Sequence, residues 1–186
     1  VAVGYLAGEN VTTGTLNTLI GGLAGDALTT GANNVAVGYE ALSTEDAHGD
    51  NVAVGYRALK TLNAGADAFN TAVGYLAGTN MTTGIENAIY GSFAGDALTD
   101  ADFNVALGGS ALSSDTLGSA STAVGFGTLA AQNFTTATSA YNVAVGYLAG
   151  NDITTGVKNV IVGALAGDTL TTGERNVYVG YTSGDR

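Results

Sequence analysis

The sequence predicts an all-β fold, a parallel β-solenoid (β-roll) of eleven coils of about 17 residues each. The string Val-Ala-Val-Gly-Tyr occurs at 1–5, 35–39, 52–56 and 143–147. Its glycine recurs at a regular interval, except that the intervals before Gly74 and Gly146 are longer. An asparagine stands four positions before that glycine in nearly every coil. A fixed short period with several columns in one register is typical of stacked repeats.

Each coil contains one strand-like segment, such as residues 34–38, in which β-branched side chains are frequent. A second short segment follows around a column of alanines, and Gly, Asn, Asp and Thr fill the turns. Helix is disfavoured because a coil contains two or three glycines. Stacked coils about 4.8 Å apart pair their backbones, so eleven coils span roughly 50 Å.

The asparagine column predicts a structural ladder along the solenoid. Each side-chain amide both donates and accepts hydrogen bonds, so equivalent residues one coil apart can bond to each other. Ser121 takes the place of asparagine in one coil. The ladder residues are Asn17, Asn34, Asn51, Asn70, Asn87, Asn104, Asn142, Asn159 and Asn176.

Both faces of the strand segment are apolar. Val35 and Val37 lie on one face and Ala36 on the other, where Leu19 and Ile161 stand in equivalent positions. One face can line the interior of the coil, but the second would then form an apolar stripe along the molecule. This pattern predicts a homo-oligomer in which the second face is covered.

The domain organisation predicted is one solenoid domain over residues 1–186. Residues 1–34, 71–104 and 143–176 match one another, which indicates duplication of four-coil blocks. The longer intervals place insertions near 63–69 and 131–141. The chain begins inside a repeat, so we expect a fragment of a longer fibre, and no apolar run approaches a membrane span.

Composition points away from catalysis and from nucleic-acid binding. The net charge of −11 would repel a phosphate backbone. The chain has no cysteine and a single histidine, His48, so it lacks the side chains for a catalytic triad or a zinc centre. We therefore expect no enzymatic activity and no resident cofactor.

The columns Asn-x-Ala-Val-Gly-Tyr-x-Ala-Leu at 34–42 and 51–59 resemble a repeat of phage tail fibres and related bacterial fibre proteins. They also resemble the shorter Asn-Ser-x-Ala-Ile-Gly repeat in the heads of trimeric autotransporter adhesins. The resemblance covers essentially the whole chain. It implies a left-handed roll, three chains side by side, and a shaft or adhesive fibre segment that is extracellular, on a cell surface or on a virion. A host receptor or surface glycan is the implied partner.

Two groups of residues are candidates for such binding. Tyr39, Tyr56 and Tyr75 follow the glycine in three successive coils, and a tyrosine column can hold sugar rings by face contacts and hydroxyl bonds. The alternative is that these rings pack over the turn. Asn133 and Phe134 fall in the longer insertion, and loops on a rigid scaffold often bind ligands.

Two further hypotheses for the function remain open at this point. Asp26, Asp96 and Asp168 each follow an Ala-Gly pair, in segments such as Gly-Gly-Leu-Ala-Gly-Asp at 21–26, which are similar to calcium-binding rolls. A calcium-stabilised extracellular roll is therefore the alternative function. The repeated Thr-Thr pairs, as at 12–13 and 82–83, raise an ice-binding solenoid as a third, although adjacent threonines should point to opposite faces.

Overall fold

The computed structural model describes residues 1–184 and shows a parallel β-solenoid with no helix in that range. Its main sheet has eleven strands in chain order, each hydrogen-bonded to the strand of the next coil. A two-stranded sheet joins β8 to β10 beside it. The strands are β1 (Ala2–Val3), β2 (Thr18–Ile20), β3 (Val35–Val37), β4 (Val52–Val54), β5 (Thr71–Val73), β6 (Ala88–Tyr90), β7 (Val105–Leu107), β8 (Gly118–Ser119), β9 (Thr122–Val124), β10 (Thr138–Ser139), β11 (Val143–Val145), β12 (Val160–Val162) and β13 (Val177–Val179).

The register of the sheet is uninterrupted by the two insertions. Ala36 pairs with Ala53 across an interval of the ordinary length. Ala53 pairs with Ala72 and Ala123 pairs with Ala144 in the same way, although these intervals are longer. The additional residues are therefore accommodated in the turns, and the predicted parallel β-solenoid of short stacked coils is confirmed.

The core lies inside the coil, between the central residue of each strand and a column of large apolar side chains from the opposite turn. Ala36 and Ile161 are fully buried on the strand side. Leu28, Leu98 and Ile153 are fully buried on the turn side. The first and third residues of the three-residue strands point outward, as the alternation of a strand requires.

The recurring glycine has a steric cause. Gly38 has φ +138°, and a Cβ there would overlap the carbonyl oxygen of Gly55 in the next coil. Both conditions favour glycine, because side chains rarely adopt this φ and none fits the space. Two residues after each of these glycines the backbone is left-handed again. Glu40 follows Gly38 and Arg57 follows Gly55 in this strained position, with φ of 51° and 56°.

The buried asparagines connect successive coils through their backbone as well as their side chains. The Asn87 Oδ1 atom accepts the backbone N–H of Asn104 at 2.9 Å. Its Nδ2 donates to the carbonyl of Ala101 at 2.8 Å and to Asn70 Oδ1 at 3.1 Å. Each amide thus satisfies backbone groups that the turn leaves without a backbone partner.

Candidate functional site

One side of the solenoid carries an apolar face, which we define as the outward residues of the main-sheet strands with the columns that border them. All exposed large hydrophobic side chains of residues 1–184 lie on this face. On the strands they are Val1, Val3, Ile20, Tyr90, Val105, Leu107, Val143, Val160, Val162, Val177 and Val179. Leu16, Phe69, Phe103 and Tyr141 form one border, and Tyr5, Tyr39, Tyr56, Tyr75, Phe93, Phe126, Tyr147 and Tyr181 form the other.

Acidic residues are distributed differently. Among the acidic residues of positions 1–184, only Glu40, Asp50 and Glu86 stand in the columns of the apolar face. The other acidic residues in this range lie in the other turns, in the insertion near residue 67 or in the interior of the coil. The solenoid is therefore amphipathic across its width, with one face apolar and the remaining surface acidic.

Tyr39, Tyr56 and Tyr75 form a continuous aromatic stack along the second border. Their ring centroids are 5.7 and 5.2 Å apart, with interplanar angles of 16° and 11°. Phe93 closes the stack edge-on, 5.3 Å from Tyr75. The sequence-predicted tyrosines are therefore together, but their faces are covered by one another, and a sugar cannot lie flat on Tyr56.

Three charged side chains surround this stack. The Arg57 Nε atom donates to Glu40 Oε2 at 2.8 Å, and Lys60 Nζ contacts the same oxygen at 2.6 Å. The Arg57 guanidinium also lies 5.0 Å from the centroid of the Tyr56 ring, a cation–π distance. Two cations therefore share one carboxylate, which leaves a local charge of +1 on a chain of net charge −11.

The electrostatics of this group follow from those contacts. The Lys60 ammonium, more than Tyr39 or Arg57, lowers the pKa of the Glu40 carboxyl. The bond to Glu40 raises the pKa of Arg57 and also the pKa of the Tyr39 hydroxyl. Glu40 is therefore the residue that joins the stack to the charges, an arrangement that the sequence analysis missed although Glu40 and Arg57 occupy the same column.

A second aromatic pair lies further along the same border. Phe126 and Tyr147 stack with centroids 5.8 Å apart and an angle of 14°. The residues that follow them are Gly127 and Leu148, so this pair has no counterpart of Glu40 and Arg57. It provides an internal comparison for the charged stack.

The two loop residues predicted for binding differ in accessibility. Asn133 is exposed, and its Oδ1 accepts a bond of 3.1 Å from Thr116 Oγ1. Phe134 is only 6% exposed, and its backbone N–H donates to Asp115 Oδ1. The ring of Phe134 therefore belongs to the interior and offers no surface for a ligand.

A buried polar network lies where Ser121 replaces the ladder asparagine. Gln132 Nε2 donates to Asp115 Oδ2 at 2.6 Å and to Ser121 Oγ at 3.0 Å. Gln132 Oε1 accepts a bond of 2.8 Å from Asn142 Nδ2. All four side chains are fully buried. Each side chain has partners within the network. We therefore interpret the network as a substitute for the hydrogen bonds that a ladder asparagine would make at position 121.

The aspartates considered for calcium are well separated. Asp26, Asp96 and Asp168 stand in the coils of β2, β6 and β12, four coils apart, or about 19 Å at the usual strand spacing, so no two can share an ion. Each has a buried Oδ1 atom without a hydrogen-bond partner. Burial raises the pKa of Asp26 and of Asp96 above the ordinary value.

The remaining polar groups are used within the fold. Glu45 is fully buried, and its carboxylate accepts from the backbone N–H groups of His48 and Ala64. His48 Nδ1 lies 3.3 Å from the same carboxylate. The Thr12 and Thr82 hydroxyls donate to carbonyls of the next coil at 3.1 and 3.3 Å, although both residues are exposed.

Comparison with protein-family models, with curated proteins and with solved structures found no match in any of the three. Among residues 1–184, the solenoid contains no helix with the length and apolar character of a membrane span. The arrangement of side chains on the solenoid is therefore the observation that bears on its function.

Proposed function

We propose that this chain is a non-enzymatic segment of an extracellular fibre, on a cell surface or a virion, that spans distance as a rigid shaft. Three chains associate side by side through the strands of the apolar face and the border of Leu16, Phe69, Phe103 and Tyr141, each with left-handed coils, and the border that carries Tyr39, Tyr56 and Tyr75 stays in solvent. The number of chains and the hand of the coil come from the resemblance to fibre and adhesin repeats. The stack of Tyr39, Tyr56 and Tyr75 supplies an adhesive surface for glycans or another receptor.

The apolar face is the single observation that carries this proposal. Eleven coils at about 4.8 Å, each contributing about five residues from the border column to the end of the strand, as in residues 16–20, give a face about 50 by 17 Å, roughly 800 Å². A stable protein complex buries about 800 Å² on each partner. A monomer would leave this whole surface in water, where apolar area costs about 25 cal/mol per Å².

The charge distribution favours a second copy as the occupant of the face. Val105, Leu107, Val160 and Val162 present apolar side chains with no acidic neighbour in the same strands. The acidic turns then remain in solvent and keep the assembly soluble. Three copies can close around a common axis when one part of the apolar face of each chain meets a different part of the same face of the next chain.

The backbone hydrogen bonds explain the role as a shaft. Gly55 N donates to the carbonyl of Val37 at 2.7 Å, and Gly74 N donates to Val54 at 2.8 Å. Such bonds run from coil to coil, so bending the solenoid stretches many of them together. The molecule is therefore suited to hold a fixed length of about 50 Å per eleven coils.

A second candidate function is a calcium-stabilised extracellular roll. The buried, unpartnered Oδ1 atoms of Asp26, Asp96 and Asp168 are the observation that favours it. A bound cation at each aspartate would compensate the loss of hydration. Loss of structure in a calcium chelator would support this candidate, whereas an unchanged circular dichroism spectrum would exclude it.

Substitution on the apolar face tests the fibre proposal. Val105→Glu and Leu107→Glu together place two carboxylates in the buried interface, so we expect the oligomer to dissociate to monomers. Thr155→Glu adds a carboxylate in an exposed turn away from the sheet and should leave the mass unchanged. Light scattering on the two proteins gives the result, and an oligomer that persists in the double variant would overturn the proposal.

A further inference from the structure

The middle ring of the tyrosine stack can be contacted only along its edge. Tyr56 is covered on its two faces by Tyr39 and Tyr75. The other side of Tyr39 lies over Gly22, where an added Cβ would be 3.4 Å from Tyr39 Cδ2, and Phe93 lies beside Tyr75. The rings are nevertheless 36 to 49% exposed. The three rings therefore present their edges and hydroxyl ends in a row along the solenoid axis.

The row has the spacing of a linear ligand. Its steps of 5.7 and 5.2 Å are comparable to the advance of one pyranose unit in an extended polysaccharide. Sugar hydroxyls both donate and accept, as tyrosine hydroxyls do, so successive sugars can bond to successive rings. A polysaccharide lying parallel to the axis fits this geometry better than a single sugar stacked on a ring.

The charged side chains beside the row have unused donors. Arg57 uses Nε on Glu40, and a guanidinium carries five N–H groups in a planar fork. Lys60 Nζ contacts the same Glu40 oxygen and has three donors. Their side chains are 36% and 33% exposed. An acceptor that reaches this point therefore meets donors held in place by Glu40.

A carboxylate is the acceptor that matches the planar donor group of arginine. A dense polyanion is excluded by the chain as a whole, because its net charge of −11 repels such a ligand at long range. The local charge of +1 suits one carboxylate within an otherwise uncharged stretch of sugars.

We propose that Tyr39, Tyr56, Tyr75, Arg57 and Lys60 form a binding site for an extended polysaccharide in which uronate units alternate with neutral sugars. One uronate carboxylate bonds to Arg57 and Lys60, and the adjacent sugars lie along the tyrosine edges. This inference rests on the proposed adhesive fibre and names the class of ligand that its stack of Tyr39, Tyr56 and Tyr75 binds.

The binding experiment uses the whole chain and three tetrasaccharides of different charge. Hyaluronan tetrasaccharide alternates glucuronate with an uncharged amino sugar, chitotetraose is neutral, and a heparin tetrasaccharide is densely sulfated. Tyrosine fluorescence can report binding because the chain has nine tyrosines and no tryptophan. We expect hyaluronan tetrasaccharide to bind at least tenfold more tightly than either of the others.

Two variants localise the site. Arg57→Gln removes the charge and the planar donor group, so we expect binding to weaken by about tenfold. Tyr147→Leu alters the uncharged aromatic pair and should leave binding unchanged. No binding of hyaluronan tetrasaccharide, equal binding of the neutral or sulfated probe, or an unchanged Arg57→Gln variant would each overturn the proposal.

The mass of every protein is measured by light scattering in the same buffer. Absent binding with an intact oligomer means that the glycan site is wrong while the fibre proposal stands. Binding by a protein that is monomeric would keep the site and overturn the assembly instead.

Discussion

Asn142 donates a hydrogen bond of 2.8 Å from Nδ2 to Oε1 of Gln132, and both side chains are fully buried. Gln132 stands in a column that Leu28, Leu98 and Ile153 fill in other coils. Its amide lies between Asn142 and Ser121, which is too short to form the usual ladder contact. Gln132 in an apolar column and Ser121 in the asparagine column are both departures from the repeat. Gln132 thus supplies the hydrogen bonds that Ser121 is too short to make.

Gln132→Leu therefore destabilises the protein even though it restores the apolar residue of its column. The variant leaves Asn142 Nδ2 and Asp115 Oδ2 without Gln132 as partner in a dry interior, at a cost of about 2 kcal/mol. Chemical denaturation followed by circular dichroism measures the loss. Ile153→Leu, an apolar exchange in the same column, should cost less than about 1.5 kcal/mol. A more stable Gln132→Leu protein would show that the network contributes nothing.

The steric requirement of the glycine column predicts that two glycine-to-alanine substitutions differ in their effect on stability. Gly55→Ala places a Cβ against the carbonyl oxygen of Gly74 at φ +138°, so we expect a loss of about 3 kcal/mol or failure to fold. Gly65→Ala lies in the shorter insertion with φ +72° and no atom within 4 Å of the added carbon. It should cost about 1 kcal/mol, from the left-handed backbone alone. Equal melting temperatures for the two variants would contradict this account of the column.

Much of the fold was predictable because each column of the repeat has one physical requirement. The glycine interval, the buried Ala36 face and the outward Val35 and Val37 all follow from period and alternation. The left-handed backbone at Glu40 and Arg57 was not predictable in this way. Both residues carry ordinary side chains at a strained position, so composition gives no signal for that turn.

The candidate site was predictable only in part. The interval of one coil brings Tyr39, Tyr56 and Tyr75 together, but it does not reveal that stacked rings cover their own faces. Phe134 was expected at the surface because it lies in an insertion, but its ring is buried and its backbone N–H is bonded to Asp115. Glu40 and Arg57 carry opposite charges and each follows a tyrosine of the stack directly. Opposite charges in one column, next to the tyrosine column, are a sequence signal that could have identified this pair.

The asparagine ladder predicts a large difference between buried and exposed asparagines. Asn87→Ala removes the acceptor of the Asn104 N–H and the donor to the Ala101 carbonyl, so we expect a loss of about 3 kcal/mol. Asn63→Ala changes an exposed side chain outside the ladder and should cost less than about 0.5 kcal/mol. Urea denaturation of both variants measures the difference, and similar midpoints would show that the ladder is not important for stability.

The raised pKa of Asp96 predicts a pH-dependent effect. Because burial raises the pKa of this carboxyl, the folded chain binds the proton more tightly than the unfolded chain does. The ionised group therefore weakens the fold at neutral pH, and the penalty disappears as pH falls through the raised pKa. Solvent screens part of this penalty because the side chain is only partly buried. Asp96→Asn should thus stabilise the protein by at most about 1 kcal/mol at neutral pH and by less near pH 4.

Denaturation at several pH values tests that expectation. Asp152→Asn, which changes an exposed carboxylate, is the matched control and should alter stability little at any pH. An Asp96→Asn protein that is less stable than the parent at neutral pH would mean that the carboxylate has a favourable partner, such as a cation.

The solution mass of the unmodified chain, measured by light scattering with and without a calcium chelator, tests the central proposal most directly. The account predicts a stable mass three times the 18.3 kDa of one chain, indifferent to the chelator. A mass of 18.3 kDa across a wide range of concentrations would contradict it, because the apolar face would then remain uncovered by any second copy.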